Sequence, residues 1–159
     1  MTRPLKVRPR TLADYFEVMT RMVFNSGLNW QVTEAKWPGF RAAFADFDPR
    51  RVAAFTPNDV ERLMADERII RNRKKIEATI HNAGELLVTD REFGGFAKYL
   101  ASFDDNDALV KDLHKRFEFL GESVAHLFLW GVGVNEQAQD EWAHAHFGNA
   151  EERHHHHAR

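Results

Sequence analysis

The chain has 159 residues, of which 43% are hydrophobic, and its thirteen Phe and four Trp supply enough apolar material for one domain with a buried core. A formal net charge of −2 excludes a protein that binds nucleic acid through the field of the whole molecule, so any such contact must come from a local cationic patch. The lack of cysteine excludes disulfides and cysteine-based zinc or redox sites, and it favours a cytoplasmic protein.

Three segments are expected along the chain. Residues 1–10 form a basic, proline-containing arm, residues 11–149 form one domain, and residues 150–159 form a polar, histidine-rich tail that we exclude from site reasoning. No apolar run approaches the roughly 20 residues that a membrane helix needs, and the arm lacks the apolar segment of a signal peptide. We therefore expect a soluble, cytoplasmic protein without membrane contact, and we favour a monomer.

The first predicted helix is long and largely buried. Thr11 with Asp14 has the spacing of an N-cap pair, apolar residues then wrap widely around the helix, and Gly27 ends it. Two shorter helical pieces are expected next, one through Lys36 and one from Pro38 to Ala45. Phenylalanines at helical spacing in this region are expected to lie in the core.

Capping residues predict the later helices. Asp48-Pro49 and Thr56-Pro57 each combine a capping residue with proline at the first helical position, so a short helix is expected after each. Thr89 with Glu92 has the spacing of a capping box and predicts another helix start. Further helices are expected from about Ala108, over Ser123 to Val132, and over Glu136 to His146. No segment keeps the alternation typical of a strand, so the predicted fold class is all-α, a compact multi-helix single domain.

The stretch from Leu63 to Ile80 predicts a helical hairpin, because an apolar helix end, a short charged turn and a second apolar helix face follow one another. Five cations lie in its turn and at the start of its second helix, against only Asp66 and Glu67: Arg68, Arg71, Arg73, Lys74 and Lys75. The free backbone N–H groups of a helix N-terminus also favour an anion such as phosphate. Two interpretations stay open, a solvated charged turn and a helix-hairpin-helix that grips a nucleic-acid backbone without reading its sequence.

A second candidate site is the turn from Asn25 to Trp30, NSGLNW. An apolar residue after glycine in a tight turn, here Leu28 after Gly27, can act as a wedge in a base stack. A nearby tryptophan offers a platform for an extruded base. On packing grounds alone, Trp30 would be a core residue.

The segment from Gly27 to Ala83 resembles the core of the DNA-3-methyladenine glycosylase I family, whose members are helix-hairpin-helix glycosylases. The later stretch RFEFLGESVAHLFLWGVGV resembles that family's Phe-x-Phe-x-Gly segment and the helix after it. By this resemblance, Trp30 matches the base-stacking tryptophan, Gly27 and Leu28 match the intercalating turn, and Asp66 to Lys75 match the DNA-gripping hairpin. The resemblance implies base-excision repair without a cofactor, in which an alkylated purine of the 3-methyladenine type is flipped out of duplex DNA and its N-glycosidic bond is hydrolysed.

The sequence also departs from that family. Met22 stands where the family has its base-recognising glutamate, and a thioether cannot replace a carboxylate as an acceptor. Glu122, after the Phe-x-Phe-x-Gly segment, is the first replacement to test as a catalytic residue. Tyr15 shares the helical face of Met22, so it is a candidate pocket residue or a core residue. The family's zinc ligands are missing together, with Ala138 at one histidine position, and no metal site is expected.

Two glycines that the resemblance leads us to expect around the hairpin are replaced by Arg68 and Lys74, which casts doubt on any turn that needs positive φ there. Three functions remain open on these residues: a glycosylase for alkylated purines, a DNA-binding or damage-sensing protein that has lost the chemistry, and an enzyme for a different lesion. The fold supports all three equally.

Overall fold

Helix starts in the computed structural model, which describes residues 6–27 and 29–148, follow the capping signals in the sequence. Thr11 and Asp14 form the reciprocal capping box of the first helix, Asp48 caps a helix that begins at Pro49, and Thr56 caps the next. Within this part of the chain there are helices and no strand, so the all-α prediction is confirmed. The helices are α1 Leu12–Asn25, α2 Trp30–Ala43, α3 Pro49–Ala53, α4 Pro57–Met64, α5 Arg73–Phe93, α6 Phe96–Leu100, α7 Asn106–Arg116, α8 Glu122–Gly131 and α9 Glu136–Phe147.

Two predicted boundaries are wrong. Pro38 lies inside α2 rather than between two pieces, because one missing N–H donor does not outweigh the burial of both halves of the helix. Thr89 does not start a helix, since it lies buried within the 21-residue helix α5, where its hydroxyl donates to Glu85. The helix ends instead at Gly94, whose φ of 70° is the left-handed conformation that glycine adopts without a steric penalty.

Helix α5 lies at the centre of the packing. It contacts α1, α3, α4 and α6, while α8 packs against α1, α7 and α9. The predicted core phenylalanines are confirmed, because Phe40, Phe44 and Phe47 are fully buried and stack on one another beside Trp37. No helix in the described ranges is long and apolar enough to cross a bilayer.

The second half of the predicted arm lies on the domain. The Val7 N–H donates to the Gly131 carbonyl at 2.8 Å, and the Lys6 ammonium pairs with Glu136 at 2.6 Å while lying over the Trp130 ring. Residues 1–5 of the arm, Leu28 of the predicted wedge, and the tail with residue 149 lie outside the described residues.

Candidate functional site

Helices α4 and α5 pack together as the predicted hairpin, and the turn between them spans residues 65–72. Asn72 caps α5, and its side-chain oxygen accepts the Lys75 N–H at 3.1 Å. The N–H groups of Arg73 and Lys74, at the first two positions of the helix, have no intrahelical acceptor. The helix start therefore still offers two backbone donors to an anion.

Two of the predicted cations are engaged in exposed ion pairs. The Arg68 guanidinium lies 2.8 Å from the carboxylate of Asp66, and the Arg73 guanidinium lies 2.8 Å from that of Glu61. Hydrogen bonds from Arg68 hold the pKa of Asp66 below its ordinary value, and those from Arg73 do the same for Glu61. Exposed pairs of this kind stabilise a fold only weakly, so a phosphate can compete for either guanidinium.

Arg71 and Lys74 are the predicted cations that remain uncompensated. Both are exposed, and in residues 6–27 and 29–148 neither makes an ion pair or a side-chain hydrogen bond. Neither Arg68 nor Lys74 takes a positive φ, so the turn does not depend on the glycines expected at these positions. The cationic tip of the hairpin is thus smaller than the sequence count suggested.

Lys75 was predicted to contact phosphate, and its position in the structure contradicts that prediction. Lys75 is only 6% exposed, and its ammonium donates to the carbonyl oxygens of Ser26 at 2.7 Å and Phe24 at 3.5 Å. Burial lowers the pKa of this ammonium. Lys75 therefore connects the start of α5 to the end of α1, and it is not available to DNA in this conformation.

The hairpin turn is docked on α2 through a residue that the sequence reasoning missed. A Cβ added at Gly39 would lie 2.4 Å from the Arg68 carbonyl oxygen, so only glycine lets the turn approach this closely. On the same helix, the Lys36 ammonium donates to the Glu67 carbonyl at 3.1 Å. The sequence did contain a signal for this close approach, namely a glycine inside a helical pattern. Such a glycine lowers helix stability, so it usually occurs where a neighbouring group must pack closely.

The second candidate site, the turn between α1 and α2, begins with Gly27 in the left-handed conformation at φ 76°. Asn29 caps α2 by accepting the Gln31 N–H, and Trp30 follows as the first helical residue. Trp30 is 8% exposed, so little of its indole reaches solvent. Stacking of a base on Trp30 remains a prediction, and it requires more of the indole face to become accessible.

Met22 and Tyr15, predicted beside Trp30, pack against other helices. Met22 is 1% exposed, and its terminal methyl lies 2.8 Å from where a Cβ at Gly131 would be, so it fills the space that this glycine leaves on α8. The Tyr15 ring meets Phe96 edge to face at 5.0 Å. Two surface depressions lie beside α9, and none of the three predicted pocket residues lines them. A base pocket at this position therefore stays a prediction.

Replacing Met22 with glutamate is expected to destabilise the protein by about 3–5 kcal/mol, since the introduced carboxylate would be buried without a partner. Met22→Leu, the control, keeps the apolar volume and is expected to cost less than about 1.5 kcal/mol. Urea unfolding at neutral pH measures both. Equal stabilities of the two variants would instead place position 22 at a water-filled pocket.

The candidate catalytic carboxylate, Glu122, is turned toward α9. Its carboxylate accepts the Trp142 indole N–H at 2.7 Å, and Trp142 stacks on His126 with ring centroids 4.2 Å apart. His126 is buried, its Nδ1 lies 2.6 Å from the side-chain oxygen of Gln139, and burial lowers its pKa. Glu122 contacts Trp142 whereas Met22 packs beside Gly131. The catalytic role of Glu122 remains a prediction.

Comparison with known proteins assigns the chain to a family. The family model for methyladenine glycosylase matches residues 8–119, a range that contains both features. The chain belongs to the methyladenine glycosylase family. The resemblance seen in the sequence is thereby confirmed.

Relatives within the methyladenine glycosylase family are similar over most of their length. The chain is 34% identical to DNA-3-methyladenine glycosylase 1 of Escherichia coli (strain K12), with 75% of each protein covered. A crystal structure of 3-methyladenine DNA glycosylase I aligns with a TM-score of 0.72 and 32% identity, over 82% of this chain and 84% of that one. The Staphylococcus aureus 3-methyladenine DNA glycosylase I, solved to explain 3-methyladenine recognition, aligns with a TM-score of 0.73 and 28% identity, over 81% and 80% of the two chains.

The resemblance attributes a zinc site to the methyladenine glycosylase family, and the residues of this chain do not provide its ligands. The sequence has no cysteine, and Ala138 has no donor atom. Across the described ranges, no group of three His, Asp or Glu side chains could hold a metal ion.

The Phe-x-Phe-x-Gly segment at residues 117–121 is held by Asn82, a second residue that the sequence analysis did not single out. The Asn82 amide donates to the Glu118 carbonyl at 3.0 Å and accepts the Glu118 N–H at 2.8 Å. Phe119 follows at φ 62°, a strained conformation for a residue with a side chain, and is 40% exposed. Asn82 thus fixes the loop that leads into α8.

Proposed function

We propose that this protein is a DNA glycosylase that binds duplex DNA, extrudes an alkylated purine of the 3-methyladenine type and hydrolyses its N-glycosidic bond. The observation that carries the proposal is the connection between the hairpin and the turn, because Lys75 joins the two elements that a base-flipping protein must place on one nucleotide. Membership of the methyladenine glycosylase family supports the reaction and the substrate class.

The phosphate backbone is bound by the tip of the hairpin. Arg71 and Lys74 supply uncompensated positive charge, and the amides at the start of α5 supply directed donors. Neither feature distinguishes one base from another, so this contact sets position and affinity without reading sequence. Recognition of the damaged base is then left to the turn and to Trp30.

The chemistry is made easier by the substrate itself. A purine methylated at N3 carries a positive charge, which makes the base a good leaving group and reduces the need for acid catalysis. A tryptophan face also binds a cation more strongly than a neutral base, by about 1–2 kcal/mol when water is excluded. Water is the nucleophile in this mechanism. A protein with Met22 in place of the family glutamate can therefore still release such a base, provided that the base is cationic.

Selectivity for charged bases tests the proposal. Incubation with DNA methylated by dimethyl sulfate is expected to release free 3-methyladenine, detected by chromatography. A matched duplex containing hypoxanthine, a neutral base, is expected to release none. Release of the neutral base at a similar rate would contradict the leaving-group mechanism, and the absence of any release would contradict the enzymatic function.

A second candidate is a damage-binding protein without catalysis. The buried, apolar side chain of Met22 at the position of the family glutamate favours it. In that case the same incubation gives tight, salt-dependent binding to methylated duplex without free base.

A further inference from the structure

Helix α1 ends on carbonyl groups that it cannot satisfy itself. The last carbonyls of any helix lack intrahelical donors and carry the negative end of its dipole. The last turn of α1 contains no basic residue. The donor comes from α5 instead, where the Lys75 ammonium reaches the Ser26 carbonyl at 2.7 Å and the Phe24 carbonyl at 3.5 Å.

Gly27 directly follows Ser26 in the chain. It is exposed, and a Cβ placed on it would meet no atom within 4 Å, so no neighbouring group packs against this side of the backbone. Lys75, by contrast, is anchored at both ends. Its backbone N–H donates to the side-chain oxygen of Asn72. The residue as a whole is 6% exposed, and its ammonium is directed at the two carbonyls. No acidic side chain is within ion-pair distance of this ammonium in the described parts of the chain.

We infer that Lys75 is a positioning residue, which fixes the end of α1 at Ser26, where the turn begins, relative to the start of α5. The hairpin that binds phosphate and the turn that addresses the base then keep one spacing along the DNA. This role rests on the proposed glycosylase function, and it assigns Lys75 an action through the protein backbone rather than through DNA. Its neighbour Lys74, exposed on the same helix start, has the direct role.

Hydrogen exchange of the free protein tests the positioning role without any catalysis. In Lys75→Met the amides of Asn25 and Ser26, which are hydrogen-bonded at the end of α1, are expected to exchange at least about tenfold faster than in the wild type, since the end of α1 loses its donor. Lys74→Met removes the same charge one residue away and is expected to leave this exchange unchanged. Equal exchange in wild type and Lys75→Met would overturn the inference. If Lys75→Met does not fold, Lys75→Gln, whose amide is too short to reach Ser26, replaces it under the same criterion.

Base release separates this role from a merely structural one. With protein in excess and below its melting temperature, Lys75→Met is expected to release 3-methyladenine at least about tenfold more slowly, while the salt dependence of duplex binding stays at the wild-type slope. Lys75→Arg restores a donor and is expected to recover part of the rate. A wild-type rate in Lys75→Met, or a salt slope reduced as by a lost phosphate contact, would overturn the inference. If the wild type itself releases no base, the proposed function fails while the exchange result still decides the role of Lys75.

Discussion

Gly39→Ala is expected to be about 2–4 kcal/mol less stable than Gly84→Ala, although both replace a glycine inside a helix with the best helix former. A methyl group at Gly39 would lie 2.4 Å from the carbonyl oxygen of Arg68 and 2.6 Å from its Cβ, so the hairpin turn must move away. At Gly84 in α5, nothing lies within 4 Å of the added methyl, and only the gain in helix propensity remains. Urea unfolding of the two variants measures the difference.

The two glycine variants are also expected to differ in their affinity for duplex DNA. If the hairpin binds phosphate as proposed, a hairpin displaced from α2 no longer presents its donors at the wild-type distance from the turn before Trp30, so Gly39→Ala is also expected to bind duplex more weakly. Gly84→Ala is expected to bind as the wild type does. Equal stability and equal binding of the two variants would mean that the close approach of Gly39 and Arg68 does not position the hairpin.

Neutralising Arg71 and Lys74 together is expected to weaken duplex binding roughly tenfold or more at low salt and to reduce the salt slope by about 2. These side chains are exposed and unpaired within the described residues, so each can release a counterion from the DNA backbone. Fluorescence anisotropy with Arg71→Gln/Lys74→Gln across a salt series measures both quantities.

The control for this prediction is a double variant on α7, Lys111→Gln/Lys115→Gln, which removes the same charge from exposed residues of a different helix. It is expected to leave the salt slope unchanged. If both double variants reduce the slope equally, binding follows net charge and the hairpin is not the interface.

Much of the fold could be predicted from the sequence because its signals are local. The capping box of Thr11 and the proline starts at Asp48-Pro49 and Thr56-Pro57 act within one helical turn, and each lies where expected. The helix start predicted at Thr89 was wrong because the deciding contacts are not local. Its spacing matches a cap, but one face of α5 is buried from Lys75 to Thr89, and this packing against distant residues keeps the helix continuous through Thr89.

The candidate site was harder to predict, because its contacts join distant parts of the chain. A run of basic residues is ordinarily solvated, and nothing near Lys75 in the sequence shows that its ammonium reaches a carbonyl 49 residues away. The docking of Arg68 on Gly39 likewise links the hairpin to a helix earlier in the chain. Met22 could be recognised as a departure from the family only through the resemblance, and its burial against Gly131 required the structure.

The most direct test of the mechanism is release of 3-methyladenine from methylated duplex by wild type, Trp30→Phe and Trp30→Ala, with protein in excess and circular dichroism as the folding control. The mechanism predicts release by the wild type, partial release by the aromatic variant, and a rate at least about tenfold lower for Trp30→Ala. Release by a folded Trp30→Ala at the wild-type rate would contradict base stacking on Trp30, and no release by the wild type would contradict the glycosylase function.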